Sequence, residues 1–153
     1  LERGVRFVQV NQGGWDLHSG IANRAARNAQ QLDPAVGALM DDLKERGLFE
    51  DTLIYISSEF GRSPTEDGGG GRSHNARGLS TVLAGGGIKG GVVHGETDDF
   101  SYNIAKDPVH IRDFQATILH LFGIDHERFT YKFQGRRYRL TDVHGKVVKG
   151  VLA

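Results

Sequence analysis

The composition of this chain excludes several classes of protein. Its 153 residues include 19 Lys+Arg and 19 Asp+Glu, so no net charge favours binding to nucleic acid or to an anionic membrane surface. The absence of cysteine removes disulfides, thiolate metal sites and a cysteine nucleophile, and no apolar run approaches the roughly 20 residues of a membrane-spanning helix.

The first part of the chain contains a strand-like segment followed by a long helical pattern. Residues 5–10 are rich in β-branched and aromatic side chains and lead into a glycine turn, which predicts a strand. Apolar residues then recur at helical spacing over residues 19–46, with Gly47 as the predicted stop. Asp33 and Pro34 suit a helix start, so this stretch predicts either two helices or one kinked helix.

Two further strands and a later helix follow in the chain. Residues 52–57 form a nearly continuous apolar run, typical of a strand covered on both faces, and residues 80–84 are a third candidate strand. Asp107 and Pro108 predict the start of a helix that ends at Gly123. This order of strands and helices predicts an α/β fold with a mainly parallel sheet flanked by helices.

Two connecting segments have signatures of their own. Residues 61–77 are polar and contain four consecutive glycines, which predicts a long functional loop. Residues 131–133 and 137–140 flank Gln134 and Gly135, which predicts a small hairpin near the end of the chain.

Several polar side chains that could bind a metal ion lie at the ends of the predicted strands. Asp16 and His18 follow the first strand, and carboxylate oxygen and imidazole nitrogen are ordinary ligands of zinc and other first-row metals. Alternatively, Asp16 caps the following helix and His18 lies at the surface. Glu59 ends the second strand, where an acid must be paired or metal-bound, and an ion pair with Arg62 is the alternative to ligation. His74 is a candidate further ligand from the glycine-rich loop.

Candidate anion-binding groups lie in the same segments, whereas a nucleophile is not evident. Arg62 could act as a forked donor to a tetrahedral oxyanion, and Arg72 and Asn75 flank His74 closely enough to contribute. The sequence contains no Gly-x-Ser-x-Gly elbow, Walker loop or His-Glu-x-x-His helix. The catalytic residue is therefore unassigned, since three nearby serines carry no signature of activation, namely Ser57, Ser58 and Ser63.

Taken together, these motifs resemble those of one known family. They are Gly13-Gly14-Trp15-Asp16-x-His18, Glu59-Phe60-Gly61-Arg62-x-Pro64, Gly71-Arg72-x-His74 and Leu83-Ala84-Gly85-Gly86-Gly87. The combination is similar to the carboxyl-terminal part of the domain-of-unknown-function 1501 proteins. This family is abundant in planctomycetes, described as sulfatase-like and placed in the alkaline phosphatase-like superfamily. Residues 110–124 are also similar to a segment near the end of sulfatases.

The resemblance implies a metal-dependent hydrolase of phosphate or sulfate esters. It implies an alkaline phosphatase/sulfatase-like fold in which residues 1–153 form a single domain that lacks its amino-terminal portion. The implied cofactor is a divalent metal ion, zinc or calcium, and the ligands carried over are Asp16, His18, Glu59 and His74. Family members often carry an export signal, which implies a periplasmic or other extracytoplasmic location.

The chain departs from the pattern of the resembling proteins at two positions. Phe60 stands where superfamily phosphatases often have histidine, and Ser73 stands where the family usually has aspartate, so each departure removes a potential ligand. The family nucleophile lies upstream of this region, so we expect the chain alone to be nearly silent as a catalyst. The expected partners are a small anionic ester and a second copy of the chain. The competing hypothesis is a non-catalytic, extracytoplasmic binding protein that keeps the sulfatase-like fold.

Overall fold

The computed structural model describes residues 1–153 and contains two α-helices, eight short strands and one 3-10 helix. The helices are α1 (Ile21–Glu45), α2 (Ile111–Leu121) and the 3-10 helix Lys149–Val151. The strands are β1 (Ile54–Ile56), β2 (Gly61–Asp67), β3 (Gly71–Asn75), β4 (Val82–Ala84), β5 (Glu96–Thr97), β6 (Ile104–Lys106), β7 (Thr130–Phe133) and β8 (Arg136–Arg139). They pair as β1–β4, β2–β3, β5–β6 and β7–β8, and every pair is antiparallel.

The predicted parallel sheet flanked by helices is therefore wrong. The segments 52–57 and 80–84 do contain strands β1 and β4, but these pair antiparallel, with Ile54 opposite Ala84. Residues 5–10 form no strand, and none of their backbone N–H or C=O groups is hydrogen-bonded within the chain. β-Branched composition reports how well a residue fits a pleated surface, and it does not supply the partner that a strand needs.

Helix α1 is continuous where the sequence allowed a break. It runs through Asp33 and Pro34, so of the two predicted alternatives the pair of helices is wrong and a single helix is what forms. Proline removes one hydrogen bond within the helix, yet the apolar stripe continues past it to Leu43, which is 3% exposed.

Both helices end next to a glycine with positive φ. Gly47 and Gly123 have φ values of 67° and 72°, and the residue after each donates its N–H back into the last turn. The N–H of Leu48 bonds to the carbonyl of Leu43 at 2.8 Å, an arrangement that satisfies carbonyls left free at a helix end. The two predicted glycine stops are confirmed.

The start of α2 differs from the prediction at Asp107 and Pro108. The helix begins at Ile111, and His110 caps it by accepting the N–H of Arg112 on Nδ1 at 3.1 Å. The imidazole satisfies a backbone N–H that would otherwise have no partner in the first turn. The helix thus begins three positions after Pro108, the predicted first helical residue.

The polar stretch 61–77 is mostly a β-hairpin, so the prediction of an unstructured loop is wrong. Strands β2 and β3 turn at residues 68–70, where Gly69 and Gly70 have φ values of 86° and 74°. The terminal hairpin β7–β8 is confirmed. Its turn residues Gln134 and Gly135 both have positive φ, as a two-residue turn of this type requires.

The interior of the molecule is small. Only nine residues are buried, and the hydrophobic ones among them are Leu17, Leu43 and Ala116. Thr117 is 1% exposed and joins two segments, since its hydroxyl donates to the carbonyl of Asp113 at 2.7 Å and accepts the N–H of Val148 at 2.9 Å. Neither α1 nor α2 has the length and apolarity needed to cross a membrane.

Candidate metal centre

Backbone pairing holds residues 16–21 against the turn of the β2–β3 hairpin. The N–H of Arg72 bonds to the carbonyl of Leu17 at 2.9 Å, and the N–H of Gly20 bonds to the carbonyl of Gly69 at 2.9 Å. A Cβ added at Gly71 would clash with the backbone of His18, so only glycine allows this approach. The glycine run thus brings two loops that are distant in sequence into direct contact.

His74 is positioned on the same side by its strand. It lies opposite Arg62 in the β2–β3 pairing, and directly opposed side chains of an antiparallel pair are neighbours on one face. The Phe60 ring packs against the imidazole of His74, with ring centroids 4.5 Å apart. Phe60 has no metal-binding atom of its own, but in this position its ring fixes the orientation of the His74 imidazole, which has one.

Three potential ligand atoms meet at this point. The distances are 2.9 Å from Asp16 Oδ1 to His74 Nε2, 3.1 Å from His18 Nε2 to His74 Nε2, and 3.1 Å from His18 Nε2 to Asp16 Oδ1. Two ligands at about 2.0–2.1 Å from a tetrahedral zinc ion stand about 3.3 Å apart. The triangle formed by the three atoms therefore fits one face of such a coordination sphere with adjustments of a few tenths of an ångström. We call these three residues the metal triad.

Asp67 orients one imidazole of the metal triad. Its Oδ2 lies 2.8 Å from His18 Nδ1, which donates to it when the ring carries its proton there. The lone pair of His18 Nε2 then faces Asp16 and His74. A carboxylate behind a histidine is the usual support of metal-binding imidazoles.

Arg62 joins the metal triad to Glu59. Its Nη1 donates to Asp16 Oδ1 at 2.6 Å and its Nη2 donates to Glu59 Oε1 at 3.1 Å. Glu59 thus forms the ion pair with Arg62 that the sequence left open, and its carboxylate lies outside the group of converging ligand atoms. The structure brings together three of the four predicted ligands.

The electrostatics of the metal triad favour a negative Asp16 and a readily protonated His18. Hydrogen bonds from His74 and from Arg62 lower the pKa of Asp16 to about 2. The hydrogen bond to Asp67 raises the pKa of His18 above its usual value. The side chains of Asp16, His18 and His74 are 61, 44 and 46% exposed, so the site is open to solvent.

The other predicted anion-binding residues are engaged elsewhere. Arg72 donates from Nη1 to the carbonyl of Gly71 at 2.9 Å. Asn75 donates to the carbonyl of Tyr102 at 3.0 Å and accepts the N–H of Arg77 at 3.1 Å, which ties the hairpin to the loop before β6. Of the three predicted residues, only Arg62 contacts the metal triad.

No serine or threonine hydroxyl is hydrogen-bonded to the metal triad. Ser63 is buried and pairs with the hydroxyl of Thr65 at 2.7 Å. The one hydroxyl bonded to an imidazole belongs to Thr141, which is 1% exposed and lies 2.9 Å from His126 Nδ1. That pair is a buried contact beyond the reach of a substrate.

Comparison with known proteins gives a family for the chain. The model of the family described as "Protein of unknown function (DUF1501)" matches residues 1–152. The chain belongs to the DUF1501 family. No curated protein and no solved structure matches it. In this DUF1501 chain, the metal triad and its surroundings are the features that bear on function.

Proposed function

We propose that this chain carries the metal- and oxyanion-binding site of a hydrolase that acts on phosphate or sulfate esters. The observation that supports the proposal is the convergence of Asp16, His18 and His74 within 3.1 Å of one another. Three protein ligands leave a coordination position free, which is the pattern of catalytic rather than structural zinc sites. Two imidazoles favour zinc over calcium, because calcium takes six to eight oxygen ligands.

The roles of the residues follow from their contacts. A divalent ion held by the metal triad would act as a Lewis acid toward an ester oxygen and an attacking water. Arg62 has five N–H donors in a planar fork, and its two bonds to Asp16 and Glu59 hold that fork beside the metal triad. It is therefore placed to donate to the equatorial oxygens of a phosphoryl or sulfuryl group, where charge develops in the transition state. Asp67 Oδ2 lies 2.8 Å from His18 Nδ1 and would favour the neutral tautomer of His18 that presents Nε2 to the metal ion.

A second candidate function is binding without catalysis. The observation that favours it is the absence of any hydroxyl nucleophile bonded to the metal triad. A chain of this kind would use the metal ion and Arg62 to hold an anionic group of a polysaccharide or a protein. The two functions share the anion site and differ in whether the ester bond is broken.

Binding of inorganic anions tests the proposal, and hydrolysis separates the two functions. We expect the zinc-loaded chain to bind phosphate and sulfate in calorimetry, and Arg62→Ala to weaken this about 10- to 100-fold through loss of charge-assisted hydrogen bonds. The matched control is Arg128→Ala, because the Arg128 side chain forms no hydrogen bond or ion pair in the structure. We expect slow, zinc-dependent release of p-nitrophenol from its phosphate or sulfate ester. Anion binding without release would favour the binding protein, and zinc-independent anion affinity would overturn both.

The proposal assigns Asp67 a positioning role that can be measured separately. We expect Asp67→Asn to weaken zinc binding about 10- to 100-fold, as the loss of a supporting carboxylate does in other metal sites. Nitrogen NMR should show a larger share of the His18 ring with its proton on Nε2. The control is Asp99→Asn, which removes an exposed carboxylate that is distant in sequence from the residues of the metal triad. Unchanged zinc affinity and an unchanged tautomer in Asp67→Asn would remove Asp67 from the site.

A further inference from the structure

A large cavity lies next to the metal triad, and one residue that contacts the triad, Arg62, also lines the cavity. The cavity has a volume of about 810 Å³ and lies between β4, the loop of residues 88–97 and helix α2. Arg62 lines it and also donates to Asp16 at 2.6 Å, so this residue borders both the cavity and the metal triad. Pockets that hold small ligands usually measure about 300–1,000 Å³.

The walls of this cavity are mixed, since 11 of its 27 lining residues are hydrophobic and the rest include both charged and neutral polar side chains. Leu83, Val109 and Phe114 are among its apolar residues. The ring of Phe114 packs on Tyr55 with centroids 5.0 Å apart, which holds an aromatic surface at the wall. Two carboxylates and two cationic side chains other than histidine line the same space, namely Glu96, Asp107, Arg62 and Lys89.

These observations carry the proposed function one step further, to the kind of ester that the site takes. We propose that the cavity receives the organic part of the substrate, and that this part is an uncharged aromatic or sugar ring. The inference rests on the proposed function, since Arg62 would hold the anionic group at the cavity mouth. Two cationic and two anionic lining residues give the cavity no net charge that would favour a second charged group on the ligand, whereas its apolar residues contact the faces of a ring well. A bare inorganic anion would leave most of the 810 Å³ unfilled.

The glycines of the loop provide a variant that adds a ring at the wall of the cavity without a change to the metal triad. Gly90 lines the cavity, and a Cβ placed there meets no atom within 4 Å, so Gly90→Phe adds a ring at little structural cost. Gly37 on helix α1 is equally open and lies outside the cavity, so Gly37→Phe is the matched control. Neither substitution touches a metal ligand.

Methylphosphonate and phenylphosphonate separate the cavity from the anion site, because they share an anionic group and only one carries a ring. We expect the zinc-loaded wild type to bind phenylphosphonate about 10- to 100-fold more tightly than methylphosphonate, in proportion to the apolar area buried. In Gly90→Phe this preference should vanish while the methylphosphonate Kd stays the same, and Gly37→Phe should keep the preference. Amide shifts at Leu83 and Gly90 on addition of phenylphosphonate give a second readout. The Kd of glucose 6-phosphate, measured in parallel and compared with that of phenylphosphonate, shows whether the cavity prefers a sugar ring or an aromatic ring.

The outcomes distinguish this inference from the proposed function. If methylphosphonate binds in a zinc-dependent way and phenylphosphonate binds no more tightly, the cavity assignment is wrong and the anion site stands. If the preference persists unchanged in Gly90→Phe, the ring lies elsewhere and the assignment is again wrong. If neither phosphonate binds, both the proposed function and this inference fall.

Discussion

Replacing His74 with alanine is expected to abolish tight zinc binding, with a fall in affinity of more than about 100-fold, beyond the effect of losing a supporting residue. His74 Nε2 lies within ligand spacing of both other ligand atoms, at 2.9 Å from Asp16 Oδ1 and 3.1 Å from His18 Nε2. Its removal leaves two ligands, which is one fewer than catalytic zinc sites use. Calorimetric titration of the metal-free chain with zinc measures the loss directly.

The fold should survive this substitution, so the comparison reports on the site. The side chain of His74 is 46% exposed, and surface substitutions usually change stability little. His120→Ala is the control, because His120 is an exposed imidazole on helix α2 without any side-chain hydrogen bond. We expect it to bind zinc as the wild type does. Equal zinc affinity in His74→Ala and His120→Ala would mean that the metal triad holds no ion.

The sequence predicted those parts of the fold that depend on a few neighbouring residues. Gly47 and Gly123 end their helices, because only a residue at ease with positive φ can close the last turn in this way. Gln134 and Gly135 form the turn of the terminal hairpin for the same local reason. These features require no knowledge of distant segments.

The pairing of strands could not be predicted, because it depends on contacts distant in sequence. The apolar runs around β1 and β4 were identified, but their direction is set by which edges meet, and composition does not record this. The β2–β3 hairpin was missed, because its polar residues lack the apolar alternation that marks a strand with one buried face. Its backbone hydrogen bonds are formed without any such pattern.

The candidate site was accessible from the sequence to the extent that it lies in glycine-rich motifs. Asp16, His18 and His74 stand out because each occupies a short polar cluster at the end of an element. Asp67 was missed, because it is one acid in a polar turn, 49 positions from the histidine that it supports. Its place directly before the glycine run is the one signal that could have found it, since those glycines bring the turn against His18.

The chain is expected to self-associate, because it exposes far more surface than a folded monomer of its size. Its accessible surface is 11298 Å², whereas a compact monomer of 16.8 kDa exposes about 7,600 Å². The excess of about 3,700 Å² exceeds the roughly 800 Å² that each partner buries in a standard interface. The second copy predicted from the sequence can cover this surface, and the associated fraction rises with protein concentration.

Residues 5–10 are where we expect the copies to meet. Phe7 and Val10 are 75 and 86% exposed, and the backbone around them has no hydrogen-bond partner, so the segment is a ready template for strand pairing between chains.

Light scattering after gel filtration should give a mass above 16.8 kDa for the wild type. The double substitution Phe7→Lys and Val10→Lys should shift it toward the monomer, because like charges and lost apolar contact oppose the pairing. Val143→Lys changes a valine that is 65% exposed in a turn and should leave the mass unchanged. A wild-type chain that stays monomeric up to about 100 μM would contradict this expectation, because that concentration is well above the Kd of a standard interface.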